Sequence, residues 1–164
     1  MTPTVRRIRA SEWRAWRSLR LRSLREDPAV FGSTYERESA FPDEVWQERT
    51  GAAASGADRA MFVAEEGEGL VGCAGALTDE EGVAKIIAVW IAPEARGRGL
   101  GARVVGEALA WCRAAGKPFA RLLVTADNDT ARAVYRRVGF ADTGRTAVLD
   151  RDPPILELEM EVRL

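Results

Sequence analysis

The chain has 164 residues, 46% of them hydrophobic and 30% charged, which suits one domain over residues 1–164 built around a sizeable core. Its 24 basic and 25 acidic residues leave a formal net charge of −1, arguing against a general nucleic-acid or membrane-surface binder. There is no histidine, which removes Ser-His-Asp and Cys-His nucleophilic systems, histidine-ligated zinc and imidazole acid–base chemistry.

Proton transfer must then use carboxylate, tyrosine, thiol, amine or water. Cys73 and Cys112 lie far apart with no C-x-x-C spacing, so neither a metal site nor a disulfide framework is expected. The opening "MTPTVRRIRASEW" lacks the apolar core of a signal peptide. No run approaches the roughly 20 residues that span a bilayer, and a cytoplasmic location is the expectation.

In chain order, "VRRIRA" suits a short first strand. "SEWRAWRSLRLRSLRED" follows as a helix, with Ser11 as N-cap, Trp13, Trp16, Leu19 or Leu21, and Leu24 roughly on one side, and Pro28 as its end. A loop then leads to a second helix from about Pro42–Asp43. Three strand-like runs, "AMFVAE", "LVGCAGALTD" and "VAKIIAVWIA", are separated by "EGEG" and "EEG", which predicts an antiparallel meander.

After a glycine turn, Leu100, Val104, Val105, Ala108, Leu109 and Cys112 recur at helical spacing up to Gly116. "FARLLVTA" suits a strand. "DNDTARAVYRRVGF" is a short helix with Ala131, Val134, Tyr135 and Val138 on one face. "GRTAVL" and "ILELEMEVRL" close the chain as strands. The order β-α-α-β-β-β-α-β-α-β-β predicts an α+β (α/β-like) fold, a sheet covered by helices on both sides.

The turn itself, "PEARGRGLG", joins a strand to a helix start. Backbone N–H groups there lack internal acceptors and carry the positive end of the helix dipole. Glycines let such a backbone approach a ligand closely, and Arg96, Arg98 and Arg103 add charge. The physical expectation is a phosphate or pyrophosphate site; a plain Gly-rich loop with exposed arginines is the alternative. The stretch lacks G-K-[ST] and does not match G-x-G-x-x-G, so neither a triphosphate loop nor a dinucleotide fingerprint is supported.

Arg96-x-x-Gly99-x-Gly101 after "VWIAP", followed by Asn128-x-x-Ala131-x-x-x-Tyr135-x-x-x-Gly139-Phe140, resembles the GNAT superfamily of N-acetyltransferases. "LRLRSLREDPAVFGSTYERE" also looks like the acceptor-side segment of small bacterial members. The resemblance implies a mixed, mostly antiparallel sheet flanked by helices, with a splayed strand pair. It implies acetyl-CoA as cofactor, with coenzyme A as product. The pyrophosphate would meet the N–H groups of Gly97, Arg98, Gly99, Leu100, Gly101 and Ala102 beside Arg96, and the pantetheine arm the backbone of Val89, Trp90 and Ile91. It gives Asn128 a hydrogen bond to the cofactor, beside its plain role as a helix cap. It makes Tyr135 the proton donor to the departing thiolate, beside its plain role in packing. Arg132, Arg136 and Arg137 would face the nucleotide phosphate or simply solvent.

Direct attack on a thioester requires a neutral amine. For an acceptor with pKa about 10.4, deprotonation at pH 7 costs about 4.6 kcal/mol, so a base or a depressed amine pKa is needed. Where many relatives place a strand glutamate, this chain has Lys85 and Leu123. The carboxylates left are Glu36, Glu38 and Asp79 to Glu81, with a water chain as the alternative; Glu36, in "FGSTYE", is the first candidate. The expected activity is acetyl transfer to a primary amine, on a small molecule or a peptide. A catalytically silent acyl-CoA sensor is the alternative. No nucleic-acid or membrane partner is expected, and a homodimer is left open.

Overall fold

The computed structural model describes residues 2–164. Among the described residues, seven strands form one sheet in the order β1-β2-β3-β4-β5-β7-β6. They are β1 (Thr4–Arg7), β2 (Arg59–Glu66), β3 (Gly69–Thr78), β4 (Ala84–Ile91), β5 (Phe119–Thr125), β6 (Ala141–Leu149) and β7 (Ile155–Arg163). Every neighbouring pair is antiparallel except β4 with β5. The predicted meander is β2-β3-β4, and the mixed, mostly antiparallel sheet is the expected one.

Among the described residues, five α-helices flank it: α1 (Trp13–Glu26), α2 (Tyr35–Ser39), α3 (Asp43–Ser55), α4 (Leu100–Ala114) and α5 (Asp129–Arg137). Short α2 was expected as loop; Thr34 nucleates it, its Oγ1 accepting from the Arg37 N–H at 3.2 Å. Ser11 is not the cap of α1. It lies inside a 3-10 turn, Ala10–Glu12, and Glu12 closes that turn by accepting the Arg9 N–H at 2.8 Å. β6 starts three residues before the predicted "GRTAVL", continuing through a register shift where Gly144 has φ 85°.

Alternation along β2 splits the core between the two faces. Ala60, Phe62 and Ala64 pack with Val104, Val105, Ala108 and Leu109 of α4 and with Tyr135 of α5. Met61 and Val63 pack with Trp13, Trp16 and Leu24 of α1 and Trp46 of α3. The sheet is thus sandwiched, as the helix order predicts. No helix among the described residues is long and apolar enough to cross a membrane.

Candidate active site

The turn after β4 leaves its donors free. The Arg96 N–H returns to the Pro93 carbonyl at 3.3 Å, and the next paired backbone N–H is that of Arg103, donating to Gly99 at 3.2 Å. Among the described residues, the N–H groups from Gly97 to Ala102 meet no protein acceptor, because a helix offers none to its first turn. Gly97 and Gly99 hold φ of 77° and 76°, a region that costs a side chain about 1–2 kcal/mol. A Cβ on either would enter open space. Gly101 differs: its Cβ would lie 3.6 Å from Val134 and 3.9 Å from Ile91, ordinary contacts.

The loop is held from outside. Arg96 turns back, donating from Nε to the Ile91 carbonyl at 2.9 Å and from Nη2 to Asp27 Oδ2 at 3.0 Å. Arg22 grips Glu94 with two hydrogen bonds of 2.8 Å. Arg98 pairs with Glu66 at 2.7 Å, and Arg103 donates to the Pro3 carbonyl at 3.1 Å. The arginines therefore position the turn as well as charge it.

β4 and β5 pair only at Ala84–Ala120 and Lys85–Arg121, then diverge into a narrow cleft. Ile86 to Val89, Leu122 to Thr125, Asn128 and Tyr135 line it. The cause is a bulge in β4: the register with β3 slips between Cys73 and Gly75, and Ala88 takes φ 53°. The Cys73 thiol donates to the Ala88 carbonyl at 3.1 Å. Burial pushes that thiol's pKa up to about 12. Beyond the bulge, the Ala92 N–H donates to Val71 at 2.8 Å. Alternation then turns the backbone of Trp90 toward Cys73 and that of Val89 and Ile91 toward the open edge. Trp90 contributes through its ring, 4% exposed, whose N–H donates to Asp27 at 2.7 Å.

Tyr135 reaches the cleft from α5. It is 7% exposed and stacks edge-on against Phe140 with ring centroids 5.9 Å apart. Burial alone pushes its phenol above the ordinary range, so the hydroxyl keeps its proton. Asn128 caps α5, its Oδ1 accepting from the Ala131 N–H at 3.2 Å, which leaves its amide N–H groups as donors at the cleft. Arg132 and Arg136 pair with Asp142, at 3.8 and 3.0 Å.

A row of free N–H donors at a helix start, continuous with an open strand edge, fits an extended ligand that carries a diphosphate at one end. Residues 10–140 match the family model described as Acetyltransferase (GNAT) family. The chain belongs to that family. A curated relative, mycothiol acetyltransferase of Streptomyces avermitilis, is 40% identical over 62 residues, 38% of this chain and 20% of that protein. The match thus spans about a fifth of the relative's length. In fold, the chain is similar to an acetyltransferase of GNAT family from Streptococcus pneumoniae (TM-score 0.81, 18% identity, 99% of this chain and 100% of that one). It is also similar to PaiA N-acetyltransferase from Thermoplasma acidophilum, solved with coenzyme A (TM-score 0.74, 18% identity, all of both chains).

The structure places the candidate carboxylates and the two residues at the expected strand positions as follows. Lys85 points its ammonium at Asp79, 3.8 Å away, and Leu123 lines the cleft at 50% exposure. Asp79 accepts the N–H groups of Glu81 and Val83 in the β3–β4 turn, at the end of β4 remote from the glycine loop. Glu36 is exposed on the first turn of α2 and lines neither the cleft nor the neighbouring cavity. Glu38, two residues on, is buried and held by Arg20 at 3.0 and 2.9 Å. Burial pulls its pKa up, but the guanidinium outweighs this and holds it below the ordinary value.

Glu157 was not among the sequence candidates. It stands on β7 opposite Thr125, a cleft residue, without lining the cleft itself, and burial raises its pKa. In "ELEME" nothing separates it from Glu159 and Glu161. Only the pairing does, since Glu159 takes Arg145 and Glu161 takes Arg121.

Proposed function

We propose that this chain moves an acetyl group from acetyl-CoA to the nitrogen of a primary amine. The observation that carries the reading is the run of free N–H groups from Gly97 to Ala102, continuous with the open β4 edge and ending beside the buried hydroxyl of Tyr135. Gly97 to Ala102 would hold the diphosphate. Val89 and Ile91 would hold the pantetheine arm, with Trp90 and Arg96 fixing the strand and turn behind them. Asn128 would donate to the same arm.

Acetyl-CoA, when bound, supplies a thioester carbon open to a neutral amine, with coenzyme A leaving as a thiolate. Two protons must then move. Tyr135 Oη gives one to the departing sulfur and recovers it from solvent. A carboxylate takes the other from the attacking nitrogen. Glu36 was the expected group; its exposure supports a surface role, whereas the half-buried Glu157 beside Thr125 has the raised pKa a base needs. We assign the proton to Glu157, reached through water, because its side chain neighbours Thr125 and does not itself line the cleft.

Lys85 and Leu123 favour a rival reading, a silent acyl-CoA sensor. Two measurements separate them. Acetyl-CoA at a hundred times its dissociation constant should stabilise the protein by about 2.7 kcal/mol, and free thiol should appear when amines are added. Stabilisation without thiol release from any amine would leave the sensor.

A further inference from the structure

A second cavity, of about 330 Å³, lies between α1, α3 and the sheet. Ile87 and the bulge residue Ala88 line both this cavity and the Tyr135 cleft. Whatever fills the cavity therefore abuts the place where transfer would occur.

Its α3 wall is a set of donors without acceptors. Trp46, Arg49 and Thr50 all line the cavity, at spacings that put them on one helix face. The indole Nε1 of Trp46 and the Oγ1 of Thr50 are buried with no hydrogen-bond partner, in residues each 1% exposed. Leaving such groups unpaired is costly, and each calls for an explanation. Among the described residues Arg49 has no ion-pair partner; its guanidinium lies 4.6 Å above the Phe41 ring.

The opposing charges are already engaged. Glu38, the carboxylate of the cavity, gives both oxygens to Arg20, and Arg59 leans on Asp58 at 3.8 Å. What remains is one guanidinium, one indole N–H and one hydroxyl. A polycationic acceptor would meet surplus positive charge there and no free carboxylate. A carboxylate would pair with Arg49, in front of the Trp46 N–H and the Thr50 hydroxyl, which are closed to solvent.

Resting on the acetyl-transfer reading, we propose that the cavity receives an acceptor carrying both an amine and a carboxylate, of the free amino-acid class. Arg49 holds the carboxylate, with Trp46 and Thr50 forming the helix wall beside it, and the amine is directed past Ile87 and Ala88 into the cleft. The chemistry of the wall selects an amino acid over a polyamine.

The test compares thiol release for amino acids and their decarboxylated counterparts: phenylalanine with phenethylamine, tryptophan with tryptamine, arginine with agmatine, and spermidine beside them. Acetyl-CoA binding is followed separately by melting temperature. At least one amino acid should exceed its counterpart more than tenfold in kcat/KM. Arg49→Gln should reduce that preference to under threefold, mainly through KM, with the acetyl-CoA shift unchanged. Thr50→Val provides a milder second variant, with a smaller loss of the same preference. With coenzyme A present, the preferred amino acid should also raise the melting temperature, and less so in Arg49→Gln.

Equal or better turnover of the decarboxylated amines or spermidine would overturn the assignment while leaving acetyl transfer intact. So would a preference that survives in both variants. Acetyl-CoA binding with no release from any amine would overturn both readings.

Discussion

The indole N–H of Trp90 donates to Oδ2 of Asp27 at 2.7 Å. The same oxygen takes Arg96 Nη2 at 3.0 Å, so one carboxylate at the end of α1 fixes both strand β4 and the first residue of the glycine loop. Asp27→Ala should leave the fold intact, since the carboxylate is on the surface side of the core. It should weaken acetyl-CoA binding about tenfold, or about 1.4 kcal/mol, by calorimetry. Unchanged affinity would show that the loop holds its shape without this anchor.

Gly99 and Gly101 make different demands. Gly99 has φ 76° and open space where a Cβ would go, so Gly99→Val should both strain the turn and intrude on a bound diphosphate. Gly101 sits in α4 with only ordinary contacts awaiting a methyl. Gly101→Ala should raise stability by about 0.5–1 kcal/mol through helix propensity and keep acetyl-CoA affinity within twofold. Thermal melts and titration of both variants check this; equal loss of binding would contradict it.

Tyr135→Phe keeps the ring that packs on Phe140 and removes only the hydroxyl. The expected result is a fall in kcat of about a hundredfold or more, in the range of general-acid contributions, with acetyl-CoA affinity unchanged. A wild-type rate would return Tyr135 to a packing role alone.

Glu157 carries a pH signature. Burial raises its pKa, so the proton-accepting form is lost as pH falls through a value above the ordinary 4.5, and kcat should fall with it. Glu157→Gln should lower kcat and remove that limb, whereas Glu36→Gln should stay within twofold of wild type. The sign for stability is opposite. Burying the charged form disfavours folding above the raised pKa, so Glu157→Gln should not lower the melting temperature at pH 7. A profile altered by Glu36→Gln and not by Glu157→Gln would reverse the assignment.

The Arg20–Glu38 pair should instead support the fold. Glu38 is held below its ordinary pKa of 4.5 by Arg20 against the pull of burial. Its stabilisation is therefore complete above that value and is lost as pH falls through the lower folded pKa. Glu38→Ala leaves Arg20 buried without its partner and should cost about 3 kcal/mol at neutral pH. Denaturant melts at pH 7 and pH 4 would show this difference narrowing in acid.

Element order, the meander and the glycine turn were legible in the chain because they rest on local chemistry. Apolar spacing at Val104, Val105, Ala108 and Leu109 writes a helix, and glycines 97 and 99 write positive φ. Even there, Ser11 and α2 escaped, since a 3-10 turn and a five-residue helix leave little periodic trace. The bulge at Ala88, the anchoring by Asp27 and the difference between Glu157 and its neighbours were decided only by tertiary packing. Each depends on what a distant segment places opposite a residue: Cys73 across β3, Arg96 across the loop, Thr125 across β5. Periodicity determines which way a side chain turns; the partner it finds there is set by how the strands and helices assemble.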